Sequence, residues 1–572
     1  MSQNALSGAR RPAGTGSRAD TSTEDGPAKI ESAAMDLRLQ LSRGPEGPNV
    51  EHRPPRSDLE DPQANTPGEG AGGGSVGPTR LTKTRYIRGL DNPREMWYEA
   101  HGELSPDLGA RWRMEQGKLV GELAREQFPE GRFVGGAPSG EELCSGAALF
   151  EVRVAAGDKT ARADILHPAP SEASSSEPSS EKIPSGERPG AWALTEVKSS
   201  KLSGSSEKEA KRDVAFQVLV VEEAGLPVER AEILHLNPDY VRGGEEPLFA
   251  RTPLGDDREK YVQEAREEAP RLAKTLRQPN PPDFWPSRNC NSCDCPEPCQ
   301  ELPEQSIFTL PRLYGCLDQL LEEGRITLEE IEGAGCLKEE HRRHIEAVRR
   351  GEPYVNEEAI RNALGELEYP IHFFDFETID YAIPKFEGSG PWQKIPFQYS
   401  LHVLDEEGGT PTHLEYLHEG RGDPCPELTE HLLQHVEESG SIVVWSQWFE
   451  EKRLKELQEA LPRYESGLQG VIDRLWDQAE IFRNWHYIDP RQKGSWSLKN
   501  VYPTFERDRT YADLGVQEGT EATVKYFQMI SSGTSASEAE EIGQDLLAYC
   551  GLDTYAMVVI HRELRSLVEN SP

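Results

Sequence analysis

The chain has 572 residues, 35% of them hydrophobic, with 100 acidic against 63 basic side chains and a net charge of −37. Such a length suggests three or so domains, and the negative charge argues against electrostatic steering to nucleic acid or an anionic membrane, although bound divalent ions reverse the field locally. No apolar stretch approaches the ~20 residues that span a bilayer, no apolar signal core opens the chain, and the nine cysteines are too unevenly placed for a secreted disulfide framework, so a soluble cytoplasmic protein without a membrane partner is expected.

Residues 1–80 are rich in Gly, Pro, Ser, Glu and Arg and lack sustained periodicity, which predicts a disordered tail. From 81 to 302 helical and strand patterns mix. "EQGKLVGELAREQF" has helical spacing, with Leu119, Val120, Leu123 and Phe128 on one broad face. "ALFEVRVAAG" and "ARADILHP" alternate as paired strands, and a Ser/Pro/Glu insert after them reads as a flexible loop. "AWALTEVKSS" resumes as a strand, "KEAKRDVAFQVLVVEEAG" reads as a helix stopped by Gly225, and "VERAEILHLN" as another strand. Residues 303–366 read as a helical connector. From 367 to 572 a second α/β unit is expected, with strands at "IHFFDFET", "FQYSLHVL", "THLEYLH" and "GSIVVW", a helix at "PELTEHLLQHVEES" and a long final amphipathic helix.

The first unit carries an acid set. Asp164 is expected to end one strand, while Glu196 and Lys198 alternate on the next and share a face. Asp213 and Gln217 open the following helix. This D…E-x-K arrangement resembles the PD-(D/E)XK nucleases, and the Gln resembles half of the Q-x-x-x-Y motif of RecB-like members. The resemblance implies a restriction-endonuclease-like fold in which Asp164 and Glu196 hold Mg²⁺ or Mn²⁺ and Lys198 polarises the phosphate or tunes the attacking water. Val221 stands where the motif has Tyr, and Gly121 where many members have His.

"CNSCDCPEPC" places Cys290, Cys293, Cys295 and Cys299 within ten residues, a strong metal signal. Cys290, Cys293 and Cys299 resemble the C-terminal ligands of iron–sulfur RecB-like nucleases, which implies a [4Fe–4S] cluster. Those relatives take a fourth Cys from far upstream, where this chain has Asn92, so Cys295 or Cys144 is a candidate fourth ligand. A local four-cysteine zinc site is the competing reading.

The second unit carries another acid set. Asp375 and Glu377 are i and i+2 on one strand, on one face and about 6.6 Å apart along it. Two hard carboxylates on one face suit Mg²⁺ or Mn²⁺. Glu450 follows a buried strand at a helix start, and Tyr549 and Asp553 share a face of the last helix. The order D-x-E, acid, Y-x-x-x-D resembles the DEDDy group of DnaQ-like 3′–5′ exonucleases, which implies an RNase H-like fold, two metal ions held by the four acids, and a water oriented by Tyr549. Glu450 stands where that family has Asp, and its neighbour Glu451 is expected to point elsewhere. Residues 369–560, including "GSWSLKNVYP" and "YCGLDTYAM", also resemble the bacterial domain-of-unknown-function family 2779, a predicted nuclease family; within it Gln398, His402 and Lys499 are candidates to face the site.

The expectation is therefore a two-nuclease α/β chain that hydrolyses phosphodiester bonds of nucleic acid, DNA rather than RNA. The alternatives are a weakened nuclease that serves as a nucleic-acid-binding scaffold, and an exoribonuclease.

Overall fold

Two stretches of period-two hydrophobicity form two separate sheets, each covered by helices, in a mixed α/β molecule. The computed structural model describes residues 80–102, 104, 106–169, 189–291, 302–507 and 509–569. The tail over 1–79, the Ser/Pro/Glu insert over 170–188, and Cys293, Cys295 and Cys299 lie outside the described residues.

The first sheet keeps its strands in chain order: β1 (Arg132–Phe133), β2 (Leu149–Ala156), β3 (Lys159–Pro168), β4 (Trp192–Lys198), β5 (Val228–Leu236) and β6 (Phe249–Pro253). β2, β3 and β4 are antiparallel neighbours, while β4 and β5 run parallel. A parallel pair needs a crossover, and helix α3 (Gly204–Glu223) supplies it. Residues Val214 to Val221 of this helix are all buried, because it is sandwiched between the sheet and helices α1 (Lys83–Asp91) and α4 (Arg258–Leu276). Tyr86 of α1 stacks on Phe216 at 4.7 Å between ring centroids. Asp164 lies inside β3 rather than at its end, because pairing with β2 and β4 continues through Leu166.

Helix α2 (Leu108–Glu126) starts earlier than its sequence pattern suggests, capped by Asp107, whose carboxylate accepts from the Ala110 amide at 2.5 Å. Its buried stripe is Gly109, Trp112, Gln116, Val120 and Ala124, and of the four residues expected on its apolar face only Val120 is fully buried. The reason is its second partner. Trp112 is buried in the core of the C-terminal unit, with its ring 4.7 Å from Phe527 and 6.2 Å from Tyr381. Gln116 Oε1 accepts from the Ala382 amide at 3.1 Å.

The segment 303–366 has a small core of its own, including Leu313, Leu320, Ile331 and Ile345, around helices α5 (Gly315–Glu322) and α6 (Glu339–Arg350). Cys316 and Cys336 form a disulfide across it. Its last part joins the C-terminal unit: β7 (Tyr354–Val355) pairs with β13 (Tyr487–Ile488), and α7 (Glu357–Leu364) contributes Ile360 and Leu364 to that core.

The second sheet has the order β10-β9-β8-β11-β12. Its strands are β8 (Ile371–Ile379), β9 (Ile395–Leu404), β10 (Thr412–Leu417), β11 (Ile442–Val444) and β12 (Leu475–Asp477). β9 is antiparallel to β8 and β10, while β11 is parallel to β8 and β12. Helix α8 (Gln447–Ala460) follows β11; α9 (Leu498–Phe505), α10 (Gly519–Met529) and the 34-residue α11 (Ala536–Glu569) complete the cover. No described helix is long and apolar enough to cross a membrane.

Trp112 is the N-terminal half's deepest contribution to the C-terminal core. Trp112→Ala is expected to destabilise the protein by about 3–5 kcal/mol, seen as a lower midpoint in urea for the transition reported by the C-terminal tryptophans. An unchanged midpoint would show that α2 is not part of that core.

Candidate functional site

β8 is buried along its whole length except at half-buried Asp375. Asp375 and Glu377 sit opposite Ser400 and Gln398 of β9. Helix α11 crosses β8 and β9 and brings Asp553 to the same place. One carboxylate oxygen from each of Asp375, Glu377 and Asp553 lies within 4.8 Å of the others. Among the described residues no Lys or Arg makes an ion pair with any of the three. Burial, then the Asp553 charge, push the Asp375 carboxyl well above its ordinary range; burial, then Asp375 and Asp553, do the same to Glu377. Burial raises Asp553 to about 6, against the opposing effects of a 2.5 Å hydrogen bond from the Tyr511 hydroxyl and of nearby Lys499. An all-oxygen set of this kind fits a hard divalent ion such as Mg²⁺ or Mn²⁺.

Glu450 approaches from a separate element. Ser446 turns the chain at φ 115° between β11 and α8, a left-handed conformation strained for a residue with a side chain. Asp477, at the end of β12, holds that turn: its two carboxylate oxygens accept from the Ser446 and Gln447 amides, both at 3.1 Å. The first turn of α8 then buries Glu450. Burial, followed by the charges of Asp375 and Glu377, raises its pKa well above the usual range. Its Oε2 is buried and has no hydrogen-bond partner, the condition a bound cation would relieve. Glu450 lies outside the tight group formed by the other three acids. Glu451 points away and pairs with Lys455 at 2.5 Å.

Tyr549 is buried beside the acids, and its hydroxyl makes no hydrogen bond with the described residues. Burial and the Asp553 charge keep it protonated. Lys499 sits over the Tyr549 and Tyr511 rings at 5.1 and 5.5 Å and donates to the Gln517 carbonyl. Gln398 is cross-strand from Glu377, but its amide donates to the Leu546 carbonyl at 2.9 Å. The His402 ring is 2.8 Å from the Thr554 hydroxyl and so is turned to α11. Three residues that sequence reasoning passed over also shape the site: Tyr511, Asp477 and Cys550. The Cys550 thiol lies 3.9 Å from Asp375 Oδ2, and burial, with the four acids around it, keeps it protonated.

The acid set of the first unit is arranged differently. Glu196 Oε1 accepts from Lys198 at 2.9 Å and from Lys83 at 2.6 Å, and its Oε2 accepts from Gln217 at 2.7 Å. Lys198 also pairs with Asp213, which accepts from Gln217 at 3.0 Å. Lys83, on α1, lies 3.9 Å from Asp164 Oδ1, and the Val197 amide donates to Asp164 Oδ2 at 2.8 Å. Burial would raise the Glu196 pKa, but Lys198 and Lys83 hold it below its usual value. Burial and the Glu196 charge push Asp164 up to about 7. The expected pair Asp164 and Glu196 does come together, yet the Lys83 ammonium lies between them, where a divalent ion would have to sit. As arranged, these residues do not fit a metal ion.

Of the cysteine set, Cys290 is half-buried and accepts from the Ser287 amide at 3.2 Å. Asn92 is a helix cap: its Oδ1 accepts from the Arg94 and Glu95 amides at 3.1 and 3.2 Å. Cys144 ends a short helix, Val221 is buried in the core, and Gly121 faces open space.

Residues 372–497 match the family model described as a domain of unknown function, DUF2779. The match includes Asp375, Glu377 and Glu450 and ends before Tyr549 and Asp553. The chain is 25% identical over 225 residues to an uncharacterized protein of Ureaplasma parvum serovar 3, covering 35% of this chain and 32% of that protein. It is 27% identical over 216 residues to an uncharacterized protein of Mycoplasma pneumoniae, with 35% and 32% covered. The matched part thus spans about a third of the length of these curated relatives.

Two outcomes are expected. Without metal, Asp553 keeps its proton up to about pH 6, whereas the unfolded carboxyl releases it near pH 4. Its contribution to stability is therefore full below about pH 4 and is lost as pH rises through about 6. Mn²⁺ at 100 times its Kd should stabilise the fold by about 2.7 kcal/mol, seen as a rise in melting temperature that is larger at pH 8 than at pH 5; no shift at either pH would remove the metal centre. In the first unit, Lys83→Met should cost on the order of 3–5 kcal/mol in equilibrium unfolding, since it leaves buried Glu196 with one cation fewer.

Proposed function

We propose that this chain is a metal-dependent nuclease whose working centre is the C-terminal acid set, acting as a 3′–5′ exonuclease on DNA. The observation that carries the reading is three carboxylates within 4.8 Å, two buried and one half-buried, with no ion pair to a Lys or Arg among the described residues. Such a set is costly unless a hard cation is held there. The sheet order, in which only β9 runs against the other four strands, supports an RNase H-like, DnaQ-like fold for 367–572. Divalent ions at this site would activate water and stabilise charge on the phosphate. Asp375, Glu377 and Asp553 would bind them, with Glu450 Oε2 as the fourth acid. Tyr511 holds Asp553 Oδ1 in place, the free Tyr549 hydroxyl is available to orient the attacking water, and Lys499 adds positive charge beside Glu377 and Asp553.

The antiparallel strands and parallel crossover of the first unit support a RecB-like PD-(D/E)XK scaffold over 81–302. With Lys83 between Asp164 and Glu196, Lys198 and Gln217 serve a closed charge network, and a second cutting centre would require Lys83 to move. Cys290, with Cys293, Cys295 and Cys299, is proposed to hold a [4Fe–4S] cluster or zinc. The setting would be cytoplasmic DNA repair or processing. The longer arm of Glu450 and the position of Lys83 favour a second reading, a nucleic-acid scaffold that no longer cuts.

The test uses purified full-length protein, end-labelled single- and double-stranded DNA and RNA, and Mn²⁺ or EDTA. Shortening from the 3′ end in Mn²⁺ is expected, falling at least about 10³-fold in Asp375→Ala and persisting in Lys198→Ala. Binding without cleavage by the wild type would establish the scaffold reading, and faster cleavage of RNA would establish the exoribonuclease. A broad visible absorbance band, lost in Cys293→Ser, is expected for the iron–sulfur cluster; a colourless protein containing zinc would overturn it.

A further inference from the structure

Between the two units lies a cavity of about 430 Å³ that neither acid set accounts for. Arg113 of α2, Lys201 just beyond β4, and Lys394 and Trp392 between β8 and β9 line it, together with Thr520 of α10. One end borders the C-terminal acids. Gly519, next to Thr520, would place a Cβ 4.0 Å from Glu377 Oε2, and Glu377 feels the Lys394 charge. The other end is the mouth of β4, since Ser199 directly follows Lys198 and its carbonyl accepts from the Trp392 indole at 2.5 Å.

Positive charge continues past the cavity. Lys201 feels the charges of Lys452 and, opposing it, Glu456, both on α8, the helix that also carries Glu450. Lys452 sits over the ring of Trp448 at 5.6 Å, and Trp448 is 71% exposed. Lys394 pairs with Asp380 at 2.8 Å, whereas Arg113, Lys201 and Lys452 make no ion pair among the described residues. Two of these three cations line the cavity, and the third lies with the exposed indole on the helix that carries Glu450, in a chain whose net charge is −37. Cations in a groove with an exposed ring are what a single strand requires: phosphates meet the charges and a base stacks on the ring. A cavity of this size encloses a ligand of a few rings and not a duplex.

We propose that the joint between the two units is a binding track for a single-stranded polynucleotide. Arg113, Lys201, Lys394 and Lys452 hold its phosphates, Trp448 stacks a base, and the strand end is delivered to Asp375, Glu377 and Asp553; that destination rests on the nuclease reading above. The first unit thereby acts as half of a clamp, through α2 and the residues after β4. The track reads features that DNA and RNA share.

The experiment measures fluorescence anisotropy of labelled oligo(dT), oligo(U) and a duplex with the full-length protein, without added divalent ion, over a salt series. In Arg113→Glu/Lys201→Glu, binding of both single strands should weaken at least tenfold, and the slope of log K against log salt should fall by about 1.4, or ~0.7 per cation. Trp448→Ala should weaken binding about fivefold or more. Lys274→Glu, the same charge change at an exposed position on α4, should bind within about twofold of the wild type, and melting curves confirm that each variant is folded. Unchanged single-strand binding by the double variant, or duplex binding as tight as single-strand binding, would overturn the track. Mn²⁺-dependent hydrolysis of bis(p-nitrophenyl) phosphate by the wild type separates the two proposals. If it occurs while the double variant binds normally, only the track fails; if it is absent while the double variant loses binding, the track stands and the nuclease reading fails.

Discussion

Repulsion among the carboxylates of Asp375, Glu377 and Asp553 is the constraint around which the C-terminal unit is organised. Three acids within 4.8 Å, on a strand and a helix that are otherwise buried, oppose folding unless protons or a cation sit among them. The surrounding structure keeps them together regardless. β8 is clamped between β9 and β11, α11 is anchored along its length by apolar residues from Ile542 to Val568, and Tyr511 restrains Asp553. Glu450 is held by a second device, the strained turn at Ser446 fastened by Asp477. Stability is thus surrendered at one point and recovered in the packing around it, as functional sites commonly require.

The two acid sets show how similar residues reach different ends. In the first unit the charges are balanced internally, because Lys83 and Lys198 both reach Glu196. In the second, Lys499 lies nearby, but among the described residues no Lys or Arg makes an ion pair with Asp375, Glu377 or Asp553. A Lys between two carboxylates makes a closed structural network, while the same space without one is open to a divalent ion. On the proposed reading the first unit therefore grips and the second cuts. The buried joint made by Trp112, Gln116 and the Arg242 contacts with Pro384 and Ser389 fixes the geometry between them.

Much of the C-terminal site was legible in the chain. Period-two spacing placed Asp375 and Glu377 on one face, and i, i+4 spacing placed Tyr549 and Asp553 on one face of the last helix. The strand pattern of β2 to β5 and the helix α3 were legible for the same reason. β12 was missed because three residues carry too little periodicity, and α8 was read only at its start, around Glu450, because its densely charged exposed surface hides how far it runs. α2 was only half seen, because its first turns bury Trp112 against a core that lies far along the chain.

By itself the sequence determined the two α/β patterns, the pairing of acids within each element and the spacing of cysteines, since these follow from the local periods of strand and helix. Tertiary structure alone decided the rest. Lys83 meets Glu196 across 113 residues and Tyr511 meets Asp553 across 42, and neither contact leaves any local pattern. The cavity at the joint likewise exists only once α2, the residues after β4 and the C-terminal sheet have packed together. Whether a carboxylate finds a lysine, a tyrosine or open space is set by the docking of distant elements, and that choice separates a structural charge network from a candidate metal centre.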